Sequence, residues 1–531
     1  MYILNNKDIG TQTIKGTTYV FVDKPYWNKQ KKQTRHKREY IGKLGSAGEF
    51  IPNKNYLAQR NTEGTETEIA ATRRYFGATH LLDTIGKKTG VENDLKASFG
   101  DDYKKILSLA YFLVLEGESS MYRFPKFALT HEHPYSEVIS SQRISDIFAG
   151  ITENPKVEFF KRRAKQCLEN EYLAYDTTSI SSYSELMGQV KYGHNRDLEN
   201  LPQINLAIVF GEESMLPVYY RKLTGNIADV STVKKLLLDM NFLGLEKVSL
   251  VLDRGFYSQD NINALYRNKN KFIVSARNNI KLIKESIEAS RATIKDFVNF
   301  CPELDVYSVS KAAKWEYRYK DRKGVDALNH KQLYIHTYYN GIRAEKEIAA
   351  FSKKLKLAEA AFLNGTCNES QKMLCEKYFN ITEGKGKISI EYNQAAINEH
   401  VRNYGYFVLL SNHIKDSRSA LSIYRNKDLV EKTFFNIKNR LDMNRTKVSS
   451  HEALEGKLFV QFVALIYIAY IHQIMLKSGL YKNYSIQSLL DEFDIVEVFK
   501  YIGKKPHFSE TTKKQRELFA CFGIDFTNHS N

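Results

Sequence analysis

The sequence predicts a mixed α/β protein with several domains. At 531 residues the chain is longer than one hydrophobic core usually organises. Strand-like runs such as EYLAYDTTSI, INLAIVF and KVSLVLDRGF occur among helix-like segments such as DVSTVKKLLLDM. Apolar residues make up 43% of the chain and aromatic residues 12%, which is enough to fill real cores. A disordered protein is therefore excluded.

The net charge indicates a polyanionic partner. The chain has 78 Lys plus Arg against 61 Asp plus Glu, a formal net charge of +17. Such an excess favours binding to nucleic acid, because cations that neutralise phosphates release condensed counterions. The alternative is an ordinary soluble protein with a solvated Lys-rich surface.

The N-terminal segment predicts a small β element. The strand-like runs YVFVDKPYW and REYIGKLG flank a cationic segment, residues 29–38, which we expect to form a turn. A basic turn on a β-ribbon can follow DNA phosphates, whereas a solvated hairpin is the alternative. The DNA-binding candidates in this segment are Lys31, Lys32, Arg35, Lys37 and Arg38.

Changes of periodicity and composition predict the remaining boundaries. Helical spacing dominates after the β element, strands and helices alternate next, and short β runs such as DVYSVSK and KWEYRYKD then interrupt the α/β pattern. The predicted units are a basic β element (1–65), a helical DNA-binding region (66–165), the first part of the core (166–295), an insertion (296–400), the second part of the core (401–480) and a C-terminal helical tail (481–531).

Cysteine usage and hydropathy favour a cytoplasmic protein without a membrane partner. The five cysteines are scattered and show no zinc-site spacing, as expected in a reducing compartment, and no signal peptide is visible. The segment Leu458 to Leu476 is the most apolar in the chain. Its uninterrupted part, Phe462 to Ile471, is shorter than the roughly 20 residues of a bilayer span. We therefore predict a buried core helix.

Two acidic residues follow apolar strands and are candidate metal ligands. Asp176 follows EYLAY, and Asp253 follows VSLVL and precedes Arg254, a candidate DNA contact. A carboxylate held rigidly at a strand end suits Mg²⁺, which requires near-octahedral oxygen coordination. Taken singly, each Asp is more typical of a turn or a helix cap.

A third carboxylate lies on a predicted late helix. Tyr424, Lys427, Glu431 and Lys438 fall within a sector of roughly 60° at about 100° per residue. One face would then present a metal ligand with two cations, although a solvated stripe with a Lys427–Glu431 pair is the alternative. Phosphodiester cleavage uses such a set, with two metal ions that activate the attacking oxygen and stabilise the leaving oxygen.

The pattern Tyr424-x2-Lys427-x3-Glu431-x6-Lys438 resembles the Tyr-x2-Arg-x3-Glu-x6-Lys signature of DDE transposases of the bacterial insertion-sequence-four group. The sequence departs from it at Lys427, which keeps the charge of Arg but loses a bidentate grip on phosphate. Segments such as YGHNRDLENLPQINLAIVF and LPVYYRKLTGNIADVSTV are also similar to one branch of this group, and the resemblance extends over nearly the whole chain.

This resemblance implies a fold and an activity. The expected fold is α/β, with a ribonuclease-H-like catalytic core interrupted by a β-rich insertion and preceded by an N-terminal β-plus-helical DNA-binding region. Asp176, Asp253 and Glu431 would hold two Mg²⁺ ions, for which Mn²⁺ can substitute. The expected partners are double-stranded DNA, as transposon end and as target, and further copies of the chain in a homodimer or higher oligomer. The protein would excise and reinsert its element in the bacterial cytoplasm, associated with the nucleoid.

Trp315 is a further DNA-binding candidate by the same resemblance. It is one of two tryptophans and lies in KWEYRYKD within the expected insertion. Related transposases stack an aromatic side chain on a base extruded at the element's end, a contact worth about 1–3 kcal/mol per base. The alternative is a tryptophan that packs on its own sheet.

Two other functions remain open from the sequence. A ribonuclease-H-like nuclease would share the carboxylates but would not join DNA ends. A catalytically silent relative would bind the ends and repress transposition. The intact set of Asp176, Asp253 and Glu431 argues against the silent protein, since decay removes metal ligands early.

Overall fold

The computed structural model describes most of the chain. The described residues are 9–28, 33–45, 48–56, 71–117, 120–166, 171–182, 190–193, 201–320, 323–384, 387–443, 446, 448, 450–501 and 503–526. Within these ranges the description excludes the side chains of residues 28, 71, 320, 383, 384, 387, 388 and 428–437.

The chain divides into two compact units. The first comprises Met1–Arg73 and Phe499–His507, and the second comprises Arg74–Val498 and Phe508–Asn531. The first unit contains an antiparallel sheet of four strands, paired in chain order. Its strands are β1 (Ile9–Ile14), β2 (Thr17–Asn28), β3 (Gln33–Leu44) and β4 (Phe50–Pro52), and the next strand along the chain is β5 (Ala71–Tyr75).

The predicted strands of the first unit are confirmed, but the predicted cationic turn is too long. β3 begins at Gln33, and its ladder with β2 continues to the pair Asn28 and Gln33. The β-forming residues Tyr26, Trp27 and Thr34 extend the hairpin towards its tip. Arg35, Lys37 and Arg38 therefore lie on a strand, whereas Lys31 and Lys32 lie outside the described residues.

The second unit opens with the predicted helical region. Its helices are α1 (Gly77–Lys88), α2 (Val91–Phe99), α3 (Tyr103–Glu116), α4 (Phe124–Thr130), α5 (Ser141–Gly150) and α6 (Glu153–Lys165). The α3 helix is apolar on all sides, and ten consecutive residues from Ile106 to Leu115 are buried. Such a helix belongs in the interior of a large core.

A long apolar helix, α14 (His451–Lys477), packs against α3 and α5. By length and composition it could cross a membrane, and no other helix of the described ranges meets that test. However, 83% of its most apolar window is buried inside the fold. The predicted buried core helix is therefore confirmed.

The contact between α14 and α5 depends on Gly456. A Cβ atom at this position would lie 2.0 Å from the backbone oxygen of Phe148, an approach that backbone atoms cannot relieve by rotation. We expect Gly456→Ala to lower the free energy of unfolding by about 3 kcal/mol, as overpacking does. Urea unfolding measures this change, and Gly150→Ala on α5, where a Cβ meets nothing within 4 Å, is the matched control. An equal effect of both substitutions would contradict the contact.

A nine-stranded sheet forms the centre of the second unit. Its strands in chain order are β6 (Tyr172–Ser181), β7 (Gln203–Gly211), β8 (Pro217–Thr224), β9 (Ser249–Leu252), β10 (Lys271–Ala276), β11 (Phe300–Cys301), β12 (Val306–Lys320), β13 (Asp326–Tyr339) and, after two strands outside this sheet, β16 (Tyr406–Ser411). The spatial order is β11-β12-β13-β16-β10-β9-β6-β7-β8. β9 is parallel to β6 and to β10, and the other recorded neighbours are antiparallel.

The predicted insertion is divided in the structure. Its short β runs merge into the long strands β12 and β13, and β13 pairs with β16, so they extend the main sheet. The hydroxyl of Tyr338 on β13 also donates to the carbonyl of Ser417. A second, small hydrophobic cluster lies in the part that follows, with Phe351, Leu355 and Tyr378 among its residues. Only that part has a core of its own.

The remaining elements complete the second unit and the strands shared with the first. The helices between strands are α7 (Val233–Phe242), α8 (Gln259–Arg267), α9 (Lys281–Ser290), α10 (Gly341–Leu363), α11 (Glu369–Tyr378) and α12 (Gln394–Val401). The hairpin of β14 (Phe379–Gly384) and β15 (Lys387–Tyr392) lies between α11 and α12. After β16 follow α13 (Ser417–Arg440), α14, α15 (Ile486–Asp494), β17 (Glu497–Tyr501), β18 (His507–Phe508) and α16 (Lys513–Cys521).

Candidate active site

Asp176 and Asp253 occupy neighbouring positions at one end of the parallel pair β6 and β9. The last paired residues of these strands are Tyr175 and Leu252, and each Asp is the next residue along its chain. Because adjacent strands lie about 4.8 Å apart, the two backbones hold the carboxylates side by side. The ordinary turn or cap interpretation does not explain this shared register.

The structure differs from the sequence prediction in one respect. Asp176 does not end its strand, since β6 continues to Ser181 and pairs with β7 along this length. What ends after Tyr175 is the pairing with β9, which is only four residues long. Asp176 therefore lies at a notch in the sheet, where β6 loses one neighbour.

The α13 helix brings two of the predicted residues to Asp253. The hydroxyl of Tyr424 donates a hydrogen bond to Asp253 Oδ1 at 2.8 Å. The ammonium of Lys427 lies 5.3 Å from the centroid of the Tyr424 ring and is buried, with 1% of the residue exposed. The predicted face of this helix is thus turned towards the second Asp.

These contacts keep the Asp253 carboxyl charged. Burial alone would raise its pKa. The Lys427 ammonium, the Tyr424 hydroxyl and the backbone N–H of Arg254 outweigh burial and hold the pKa of Asp253 below its ordinary value. A charged carboxylate is the form that binds a divalent cation.

Lys438 is placed differently from its predicted role. Only 1% of the residue is exposed, and its Nζ donates to the backbone carbonyl of Ser179 on β6 at 2.5 Å. The stripe that begins at Tyr424 beside Asp253 thus ends at the strand that carries Asp176. The burial of Lys427 and Lys438 makes both better suited to hold the site together than to meet a flanking phosphate.

Glu431 is on α13 between these two contacts, but its side chain lies outside the described residues. By helical spacing, position 431 is on the same stripe as Tyr424, Lys427 and Lys438. Among the described side chains there is no group of three or more potential metal ligands. The described part of the predicted set is the pair Asp176 and Asp253.

Asp229 is a residue of this site that the sequence analysis missed. Its Oδ1 accepts a hydrogen bond of 2.6 Å from the hydroxyl of Thr177, the neighbour of Asp176. Its Oδ2 lies 3.4 Å from where a Cβ would be on Gly255, two residues after Asp253. Asp229 therefore touches the segments that follow both acidic residues. The sequence signal was its place in LTGNIADVST, to which no chemistry had been assigned.

Asp253 opens into a basic cleft of about 1350 Å³. The acidic residues that line it are Asp253 and Glu347, against six cationic residues. The cations are Arg254, Arg277, Lys284, Arg343, Lys346 and Arg425. Except for Arg254 these residues were not predicted, because they are distant along the chain and form no motif. The excess of cations suits a polyanion beside Asp253.

Trp315 takes the place described by its alternative interpretation. The residue is 6% exposed, belongs to the main hydrophobic cluster, and its Nε1 donates to Oδ1 of Asn263 on α8 at 2.8 Å. In this arrangement the indole offers little surface on which a base could stack.

The comparison with protein families follows these geometric findings. The family model described as a transposase DDE domain matches residues 169–467, more than half of the chain. The chain belongs to this family. The matched range contains both parts of the predicted core and all three predicted acidic residues, so the protein is a DDE transposase and acts on DNA.

Two further comparisons add little. A chain of the piggyBac transposase synaptic complex with hairpin DNA, determined by cryo-electron microscopy, matches the transposase at 12% identity. The match covers 79% of this chain and 78% of the other, with a TM-score of 0.39, which is too low to establish a common fold. No curated protein matches the sequence significantly.

Tyr424 provides a test of the site geometry. We expect Tyr424→Phe to slow DNA cleavage on the order of tenfold, because it removes a hydrogen bond to a charged group, worth about 1.5–3 kcal/mol. Single-turnover cleavage of an end-containing duplex measures the rate. Tyr266→Phe is the matched control, since that hydroxyl donates to the carbonyl of Gln332, away from Asp253. Unchanged cleavage by Tyr424→Phe would show that the bond plays no part in the reaction.

Proposed function

We propose that this transposase cuts the inverted terminal repeats of a bacterial insertion sequence of the insertion-sequence-four group and joins them to a target. Asp176, Asp253 and Glu431 would be its catalytic metal ligands. The shared register of Asp176 and Asp253 beside the Tyr424 stripe is the single observation that carries this proposal. The signature supports it further, with Lys427 in place of Arg.

The residues present fit two Mg²⁺ ions, with Mn²⁺ as a substitute. Carboxylate oxygens are the ligands that Mg²⁺ prefers, and the lowered pKa of Asp253 keeps one of them charged. When bound, two such ions activate the attacking oxygen and stabilise the leaving oxygen of an in-line displacement. The chain's own residues orient that set: Tyr424 holds Asp253, and Lys438 ties α13 to β6.

The strand order supports a ribonuclease-H-like core. Five neighbouring strands have the order β8-β7-β6-β9-β10, in which three antiparallel strands precede two parallel ones. In that fold the first and fourth strands are adjacent, and these are the strands that lead to Asp176 and Asp253. The helices and strands after β10 would then be the family's insertion, although its β part extends the core sheet.

Substrate and assembly follow from the proposed reaction. Hydrolysis would free a 3′-hydroxyl at the transposon end, and this hydroxyl would attack a target phosphodiester. The basic cleft beside Asp253 would hold the double-stranded DNA near the reacting phosphate. Pairing of two ends would require a homodimer or a higher oligomer. We expect the transposase to act in the bacterial cytoplasm, associated with the nucleoid.

A strand-joining assay tests this function. Purified transposase, a duplex with the terminal repeat and supercoiled target DNA should give joined products with Mg²⁺ or Mn²⁺, and none with Asp176→Asn. Nicks or breaks without joining would indicate a plain nuclease. Equal, negligible activity of both proteins, with end binding retained, would indicate a silent end-binding relative.

A further inference from the structure

The tip of the β2–β3 hairpin is a two-stranded ribbon that extends beyond its sheet. β1 pairs with β2 only as far as Val22, and β4 pairs with β3 only at residues 42–44. Among the described strands, none pairs with residues 24–28 and 33–38, here called the ribbon. Each described side chain of the ribbon is exposed. Since isolated two-stranded hairpins are marginally stable, core packing does not explain this extension.

The ribbon concentrates positive charge. Residues 24–38 contain seven Lys or Arg and no Asp or Glu. Lys24 and Lys37 are directly opposite each other in the ladder, an arrangement of like charges that destabilises a hairpin. A ribbon that keeps such a pair is suited to a polyanionic ligand, which would remove the repulsion.

The cations are distributed unequally over the two faces. Opposite residues of an antiparallel ladder share a face, and successive residues alternate. One face, here called the Tyr26 face, carries Lys24, Tyr26, Arg35 and Lys37. Tyr26 is 47% exposed, and neither Arg35 nor Lys37 has an ion-pair partner in the described part of the chain.

The opposite face uses its charges within the protein. His36 Nδ1 lies 3.1 Å from Asp23 Oδ2. The Arg38 guanidinium stacks over the ring of Phe21 at 4.7 Å, and its Nη1 donates to Gln12 Oε1 at 3.2 Å. Arg38, one of the predicted DNA contacts, is therefore engaged by its own sheet.

We propose that the ribbon enters the major groove of double-stranded DNA with the Tyr26 face towards the DNA. A major groove about 12 Å wide admits a two-stranded β-ribbon. Arg35 and Lys37 neutralise phosphates at its walls, and Tyr26 reaches the base edges. This inference rests on the proposed function, in which the N-terminal region recognises the transposon end.

Salt dependence of duplex binding tests the choice of face. For Arg35→Ala we expect the slope of log affinity against log salt to fall by about one, and likewise for Lys37→Ala. Arg38→Ala is the matched control, because it removes the same charge from the opposite face of the same strand, and its slope should stay unchanged. Thermal unfolding confirms that each variant is folded. Equal slope losses for Arg35→Ala and Arg38→Ala, or none for Arg35→Ala and Lys37→Ala, would overturn the proposal.

Tryptophan fluorescence provides an independent readout. Trp27 is 60% exposed on the face opposite Tyr26, and Trp315, the other tryptophan, is buried. Acrylamide should therefore quench Trp27 equally with and without a terminal-repeat duplex. In the double variant Tyr26→Trp and Trp27→Tyr, the indole moves to the Tyr26 face, and DNA should reduce quenching severalfold. Loss of quenching in the wild type, or none in the variant, would contradict the orientation.

These outcomes separate this inference from the proposed function. Joining that persists in Arg35→Ala and Lys37→Ala with unchanged duplex binding would reject the ribbon and keep the transposase. Absence of any duplex binding by the wild-type protein would reject both. A changed oligomeric state of these variants, with duplex binding intact, would assign the ribbon to protein contacts and overturn the proposal.

Discussion

We expect Asp253→Asn to reduce cleavage of the transposon end by more than about a hundredfold, while duplex binding stays within about twofold of wild type. Loss of even an outer partner of a metal site typically costs 10–100-fold, and Asp253 would be a direct ligand. Asn keeps the size of the side chain but removes the negative charge that Lys427 and Tyr424 hold in place. Gel assays of cleavage and anisotropy assays of binding measure the two effects.

Asp260→Asn is the matched control for this prediction. It is the same chemical change seven residues further along the chain, at an exposed residue that pairs with Lys234 at 3.2 Å. We expect its cleavage rate to equal that of wild type. Full activity of Asp253→Asn would remove this residue from the catalytic set.

The second large effect concerns stability. We expect Lys438→Ala to lower the free energy of unfolding by about 2–4 kcal/mol, because it leaves a cavity and removes the donor to the Ser179 carbonyl. The salt slope of duplex binding should not change, since a buried ammonium contacts no phosphate. Denaturant unfolding and salt titration measure these quantities.

Lys477→Ala, at the exposed end of α14, is the control and should change neither quantity. The sequence alone had predicted that Lys438 contacts DNA. A folded Lys438→Ala protein with unchanged stability and a salt slope reduced by about one would restore that prediction and contradict the structure.

Much of the fold could be predicted because it depends on local pattern. The apolar runs around Asp176 and Asp253 are strands, and the 3.6-residue spacing from Tyr424 to Lys438 is a helix. The buried nature of α14 also followed from its composition. These signals lie within single segments, where periodicity reports which face is apolar.

Other features depend on partners distant in sequence. Periodicity placed Lys427 and Lys438 on one face, but burial of that face under β6 and β9 requires the sheet. The notch at Asp176 exists because β9 is short, and strand length is poorly marked in VSLVL. Likewise, the hydrogen bond from Trp315 to Asn263 joins two elements that no local pattern connects.

Iron-directed cleavage of the polypeptide tests the central claim most directly. Fe²⁺ bound in place of Mg²⁺, with ascorbate and peroxide, produces hydroxyl radicals that cut the backbone within a few ångströms of the ion. Convergence of the three acidic residues predicts cuts near Asp176, Asp253 and Glu431, all suppressed by excess Mg²⁺ and lost in Asp176→Asn. Cuts near Asp176 and Asp253 without any near Glu431 would contradict the account.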